Sequence, residues 1–116
     1  LAAAAGLATL DVYESEGLFQ RATDMAPYWE EAVHSLKSLP HVIDIRNLGM
    51  VAAVELAPRP DAPGARATEV FHRAFDEGAL IRVTGDVIAL SPPLIISREQ
   101  IDELIGRLAD ILRNTP

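Results

Sequence analysis

No cysteine occurs anywhere in the chain. That absence excludes a disulfide framework, thiolate metal sites and a cysteine nucleophile, and it is compatible with a reducing, cytoplasmic setting. Positive charge is scarce as well: ten basic residues stand against 17 acidic ones, for a formal net charge of -7. The basic residues are scattered along the chain, so no surface is expected to attract a polyanion, and nucleic acid is not an expected partner. Long apolar runs are also lacking. Glu55, Arg82 and Asp86 interrupt the most apolar stretches, and none approaches the roughly 20 residues that a membrane helix needs. The start has no charged leader and no small-residue cleavage pattern, so Leu1 to Ala5 does not read as a signal peptide.

What is present suits one folded domain. Apolar residues make up 49% and charged residues 23% of 116 positions, enough for a core and too few for two ordinary domains. Leu1 to about Tyr13 favours helix and is rich in alanine, with no Ser, Thr, Asp or Asn ahead of it to cap the first turn. The missing cap leads us to expect that the helix over residues 1–15 begins in chain upstream of Leu1. After the break at Gly17, residues Leu18, Ala22, Met25, Trp29, Ala32, Val33 and Leu36 recur at helical spacing and predict a second helix with one buried face. Pro27 lies inside it and predicts a kink near Thr23 to Pro27.

The period then changes. Ile43 and Ile45 alternate with Asp44 and Arg46, as in a half-exposed strand over His41 to Leu48. Met50 to Leu56 is almost continuously apolar and predicts a strand covered on both sides, paired with the first as a hairpin. Three prolines between Ala57 and Gly64 predict a stiff surface loop. Val70, Phe71, Ala74 and Phe75 share one face of a third helix that ends at Gly78. Leu80 to Thr84 and Val87 to Leu90 flank Gly85-Asp86, a two-residue turn with glycine first. Ser97 and Gln100 form a capping box ahead of Ile101, Leu104, Ile105, Leu108, Ile111 and Leu112. Two hairpins with helices before, between and after them predict an α+β fold: a four-stranded, mainly antiparallel sheet with helices on one side.

Few residues suggest chemistry. His34, His41 and His72 fall on separate elements with no ligand spacing, so no metal site is expected. No nucleophile-elbow, phosphate-loop or dinucleotide pattern occurs. Paired acids such as Glu30-Glu31, Asp76-Glu77 and Asp102-Glu103 suit solvated helix faces. Arg82 differs from the other arginines, because Leu80, Ile81 and Val83 surround it in a short strand before a tight turn. Its planar fork can grip a carboxylate through two charge-assisted bonds, which lysine cannot reproduce. An edge-strand arginine can equally point to solvent, and residue type alone favours that second reading.

Four segments carry a resemblance. Pro40 to Met50, Val54 to Pro58, Gly78 to Asp86 and Leu90 to Ile96 together resemble the final domain of class III aminotransferases, nearest to the ω-amino acid:pyruvate (β-alanine:pyruvate) group. The likeness runs from Leu1 to about Asn114, and Arg82-Val-Thr-Gly-Asp86 followed by Pro92-Pro93 is its most specific part. The resemblance implies that residues 1–116 are the carboxy-terminal small domain of a fold-type I enzyme that uses pyridoxal phosphate. An ω-amino acid or amine such as β-alanine would give its amino group to the cofactor, and pyruvate would collect it.

In that family a larger upstream domain carries the cofactor's lysine and the aspartate that pairs with the pyridine nitrogen. Neither has a match here: Lys37, the only lysine, sits in no catalytic motif. No catalytic or cofactor-binding residue is thus expected in this chain, which alone should be inactive and free of cofactor. An arginine at the position of Arg82 is implied to hold the substrate carboxylate. Implied partners are the large domain of the same polypeptide, small amino and keto acids, and a second subunit in a homodimer. The alternatives are a stand-alone module that binds small acids, or a dimerisation domain, neither with catalysis. Ornithine- and aminobutyrate-type aminotransferases and related mutases and decarboxylases share the architecture.

Overall fold

Residues 1–116 are described by a computed structural model, in which four helices and four strands follow one another along the chain. They are α1 (Ala2–Ser15), α2 (Leu18–His34) continued by a 3-10 turn (Ser35–Ser38), β1 (Val42–Leu48) and β2 (Val51–Leu56). α3 (Ala65–Asp76), β3 (Arg82–Thr84), β4 (Val87–Leu90) and α4 (Arg98–Arg113) complete the chain. The strands form one sheet in the order β1-β2-β4-β3, and every neighbouring pair is antiparallel. The expected α+β architecture with two hairpins is therefore the observed one.

Local chemistry sets the turns. Gly49 and Gly85 open the two hairpin turns with φ of 55° and 57°, a left-handed conformation in which a side chain is strained and glycine is not. α4 begins as its sequence indicates: the Gln100 N–H donates to Ser97 Oγ, and the Ser97 N–H donates to Gln100 Oε1. Together these bonds satisfy two donors that the first turn leaves free.

The core forms between the helices and one face of the sheet. Ile45, Val54, Ile88 and Val83 make a continuous cross-strand row, and Trp29, Val33, Val70, Ile101, Leu108 and Leu112 close over that face. Burying each such aliphatic side chain contributes roughly 1.5–3 kcal/mol before entropy is charged against it.

Several expectations change in detail. β2 is covered on one face only: Ala52, Val54 and Leu56 are buried, while Val51 is exposed and Ala53 and Glu55 are half-exposed. Small and apolar residues on its second face made the strand read as fully covered. Ile43 does not join Ile45 in the core but is 58% exposed, because the β1–β2 register shifts between Val42 and Asp44 and breaks the alternation there. Phe75 is 62% exposed, since Val70 and Ala74 take the narrow strip of α3 that meets the core. β3 begins at Arg82 rather than Leu80. α2 runs on through Pro27 as one helix and tightens into the 3-10 turn only beyond His34.

Candidate functional site

The face of the sheet away from the helices is where polar side chains gather. Register puts Arg82 beside Ala89, Ala89 beside Ala53, and Ala53 beside Arg46, so two arginines on opposite edge strands share one row with two methyl groups between them. At about 4.8 Å per strand, their Cα atoms lie about 14 Å apart. The adjoining row holds Thr84, Val87, Glu55 and Asp44.

Asp44 and Glu55 face one another across β1 and β2, which by itself repels. Arg46 resolves this: its Nη1 donates to Asp44 Oδ2 at 2.5 Å and to Glu55 Oε2 at 2.7 Å. The bonds to Glu55 first, and to Asp44 second, push the Arg46 guanidinium further above its already high value, so it stays charged. The trio carries a net charge of about -1. Asp44, Arg46 and Glu55 are each at least a third exposed, so the bridges contribute little to stability.

Arg82 is in the opposite situation. It is exposed and makes no hydrogen bond or ion pair, whereas every other arginine has a partner. Arg21 donates to the carbonyls of Leu94, Ile95 and Ile96, and Arg66 donates to Ala57 O and Pro116 O. Arg73 donates to Asn114 O and Thr115 Oγ1. Arg59, Arg107 and Arg113 pair with Glu69, Glu103 and Asp110, and Arg98 lies over the Tyr28 ring. A guanidinium left solvated, with all its donors free, can accept a planar anion without first breaking an internal pair.

Arg82 lines an open cleft of about 400 Å³ with Ile81, Ala89, Ser91, Pro92 and Pro93. Arg82 and Pro92-Pro93, which come from the two most specific pieces of sequence, thus meet in one place. Asp86 stands apart from the cleft. Both of its carboxylate oxygens accept from the Gly64 N–H at 2.9 Å, and its carbonyl accepts from Leu56 N. It fastens the β3–β4 turn to the proline-rich loop and so fixes where β3 runs. Arg82 is at the open end of that hairpin, opposite Ala89.

The histidines do not converge. His34 is half-buried with Nε2 2.9 Å from Asn47 Oδ1, and His41 and His72 are exposed on other elements. No group of three or more His, Cys, Asp or Glu side chains is placed to hold a metal ion. Lys37 is exposed on the 3-10 turn, whose Leu36 enters the core on the helix side. A larger opening of about 670 Å³ runs along α3 past Thr68, Glu69, His72 and Arg73, but Glu69 and Arg73 are already engaged there. The Asp44–Arg46–Glu55 trio escaped the sequence reading. Its signal was the two-residue turn at Gly49-Met50, which sets the register that pairs Asp44 with Glu55.

The pattern of the aminotransferase class-III family matches residues 1–112. Over 112 residues, the chain is 57% identical to an omega-aminotransferase of Caulobacter vibrioides, covering 97% of this chain and 26% of that protein. It is 34% identical to a beta-alanine–pyruvate aminotransferase of Pseudomonas aeruginosa, covering 97% and 25%. A solved transaminase with L-alanine superposes with a TM-score of 0.89 at 30% identity, over 97% of this chain and 28% of that one. A thermostable omega transaminase mutant from Pseudomonas jessenii superposes with a TM-score of 0.85 at 31% identity, over 92% and 25%. The chain spans about a quarter of the length of the curated relatives it matches.

Proposed function

The chain belongs to the class III aminotransferases, and from that premise we propose that it is the carboxy-terminal small domain of a larger transaminase. In this reading the whole enzyme moves an amino group from an ω-amino acid or amine such as β-alanine to pyruvate, and Arg82 grips the substrate carboxylate. The observation that carries the assignment is that Arg82 alone among the arginines has no partner, and that it lines the cleft shared with Pro92 and Pro93. Relatives named for β-alanine and pyruvate support the substrate class.

Class III aminotransferases depend on pyridoxal phosphate, which supplies the electron sink for the transfer. The residues present here do not fit that group. Lys37, the one lysine, is exposed on the 3-10 turn and does not line the cleft that contains Arg82. The cofactor and its lysine accordingly belong to the large domain of the same polypeptide, and residues 1–116 alone are inactive. α1 has no buried residue, and Leu7 and Leu10 are exposed along it. Residues 1–15 are then the end of the helix that joins the two domains. Contact with that domain, and with a second subunit of a homodimer, covers such apolar surface.

The test is Arg82→Ala in the full-length enzyme. Losing one charge-assisted partner costs about 1.5–3 kcal/mol, so use of pyruvate should fall about ten- to a hundredfold, while amine donors without a nearby carboxylate are largely spared. An equal loss for both substrate types contradicts the assignment.

A further inference from the structure

Resting on the carboxylate reading of Arg82, we propose that Asp86 is a positioning residue for that arginine, because it ties the short strand carrying Arg82 to the start of α3. β3 has three residues, lies at the edge of the sheet and pairs with β4 alone. So short a ladder, open on its outer side, frays easily by itself. Its two ends are held from outside the ladder. At the entry, Gly78 closes α3 with φ of 83°, the Ala79 N–H donates to Ala74 O at 2.7 Å, and Arg107 donates to Glu77 O. At the exit, both oxygens of the Asp86 carboxylate accept from the Gly64 N–H. The segment from Gly78 to Asp86 thus leaves one end of α3 and returns to the other, with Arg82 between.

α3 has no capping side chain of its own and no acidic residue in its first turn. A helix start of that kind leaves N–H donors and a partial positive charge unanswered. Asp86 answers both from 22 positions away, so the charge that caps α3 also anchors the Gly85 turn. The backbones meet closely there: a Cβ at Gly64 would come 3.5 Å from Gly85 O. Ala67, Val70 and Ala74 bury α3 in the core, which makes the helix the fixed partner and the edge strand the part that shifts when the contact is lost. The Arg82 guanidinium, exposed and unpaired, has no contact of its own to restore its place.

The test is a double-mutant cycle in the full-length enzyme, with kcat/KM measured for pyruvate and for propylamine, a donor without a carboxylate. Benzylamine replaces propylamine if the parent does not turn it over. Asp86→Ala should lower the pyruvate value about threefold to tenfold and change the amine value less than about twofold. In the Arg82→Ala background the same change should have almost no further effect on pyruvate, because the residue it acts through is gone. Asp86→Asn keeps an oxygen that can accept from Gly64 but not the charge, and should recover part of the loss. If Asp86→Ala does not fold, Asp86→Asn carries the cycle, with a smaller loss and the same selectivity.

No loss in Asp86→Ala, equal loss for pyruvate and the amine, or a loss that adds in full to that of Arg82→Ala overturns the inference. Arg82→Ala on its own separates the two failures. Selective loss of pyruvate use with an additive Asp86 effect removes only the positioning role, whereas equal loss for both substrates removes the carboxylate reading beneath it.

Discussion

Ile45, Val54, Ile88 and Val83 form one cross-strand row and Arg46, Ala53, Ala89 and Arg82 form another, yet helices seal the first while the second stays open. The two rows are one residue apart on every strand. A strand sends successive side chains to opposite faces, so a single-residue step separates what holds the sheet together from what is available to a ligand. The inner row contains no polar atom in its side chains, and the outer row contains the one guanidinium without a partner.

The comparison breaks most visibly at Ile88. Ile88→Ala should cost about 2–5 kcal/mol of stability by denaturant unfolding, because the side chain is fully buried and the helices above it relax only partly. Arg82→Ala on the other face should stay within about 0.5 kcal/mol of the parent in the same measurement. A comparable loss in both would mean that the outer face also bears packing.

A change that strikes both rows at once is Gly85→Ala. The β3–β4 turn holds this position at φ 57° and sets the register of both faces. Forcing a side chain into left-handed backbone should cost about 1–2 kcal/mol, and the same variant should weaken pyruvate use if Arg82 depends on that register. Nothing within 4 Å would meet the added Cβ, so the cost comes from the backbone and not from a clash.

The smallest effect concerns the helix that covers the inner row. Glu99 in the first turn of α4 is held below the ordinary carboxylate range, first by its backbone N–H and then by the Ser97 side chain. Because the folded value is depressed, its contribution is present above the ordinary glutamate value of about 4.3 and is lost as pH falls below it. The urea midpoint should therefore drop more between about pH 5 and 3 in the parent than in Glu99→Gln. Identical pH profiles would remove Glu99 from the account of α4.

Much of this was legible in the residues. The capping box at Ser97 and Gln100 and the leading glycine of the Gly85 turn are local, since both partners lie within a few positions and each answers a backbone requirement. The helical faces of α2 and α4 followed from period alone. Arg82 stood out by its strand context and by the resemblance around it. Ile43 was not legible, because a register shift belongs to a pair of strands and not to one of them. Phe75 was misplaced for a related reason: a helix can show a wide apolar stripe and bury only the part that a neighbour reaches. The resemblance identified Arg82 but was silent about the trio, whose members lie nine or more positions apart where Glu55 meets β1.

The sequence by itself determined which segments coil, which extend and where the chain turns, because period, glycine placement and capping act over a few residues. Only the tertiary structure decided which charges remain free. Arg21, Arg66 and Arg73 are occupied by carbonyls as far as 75 positions along the chain, and Arg46 by an acid on the next strand. Hydrogen-bond partners are chosen by proximity in space, so Arg82 could be known as the unpaired one only after every other arginine had found its place.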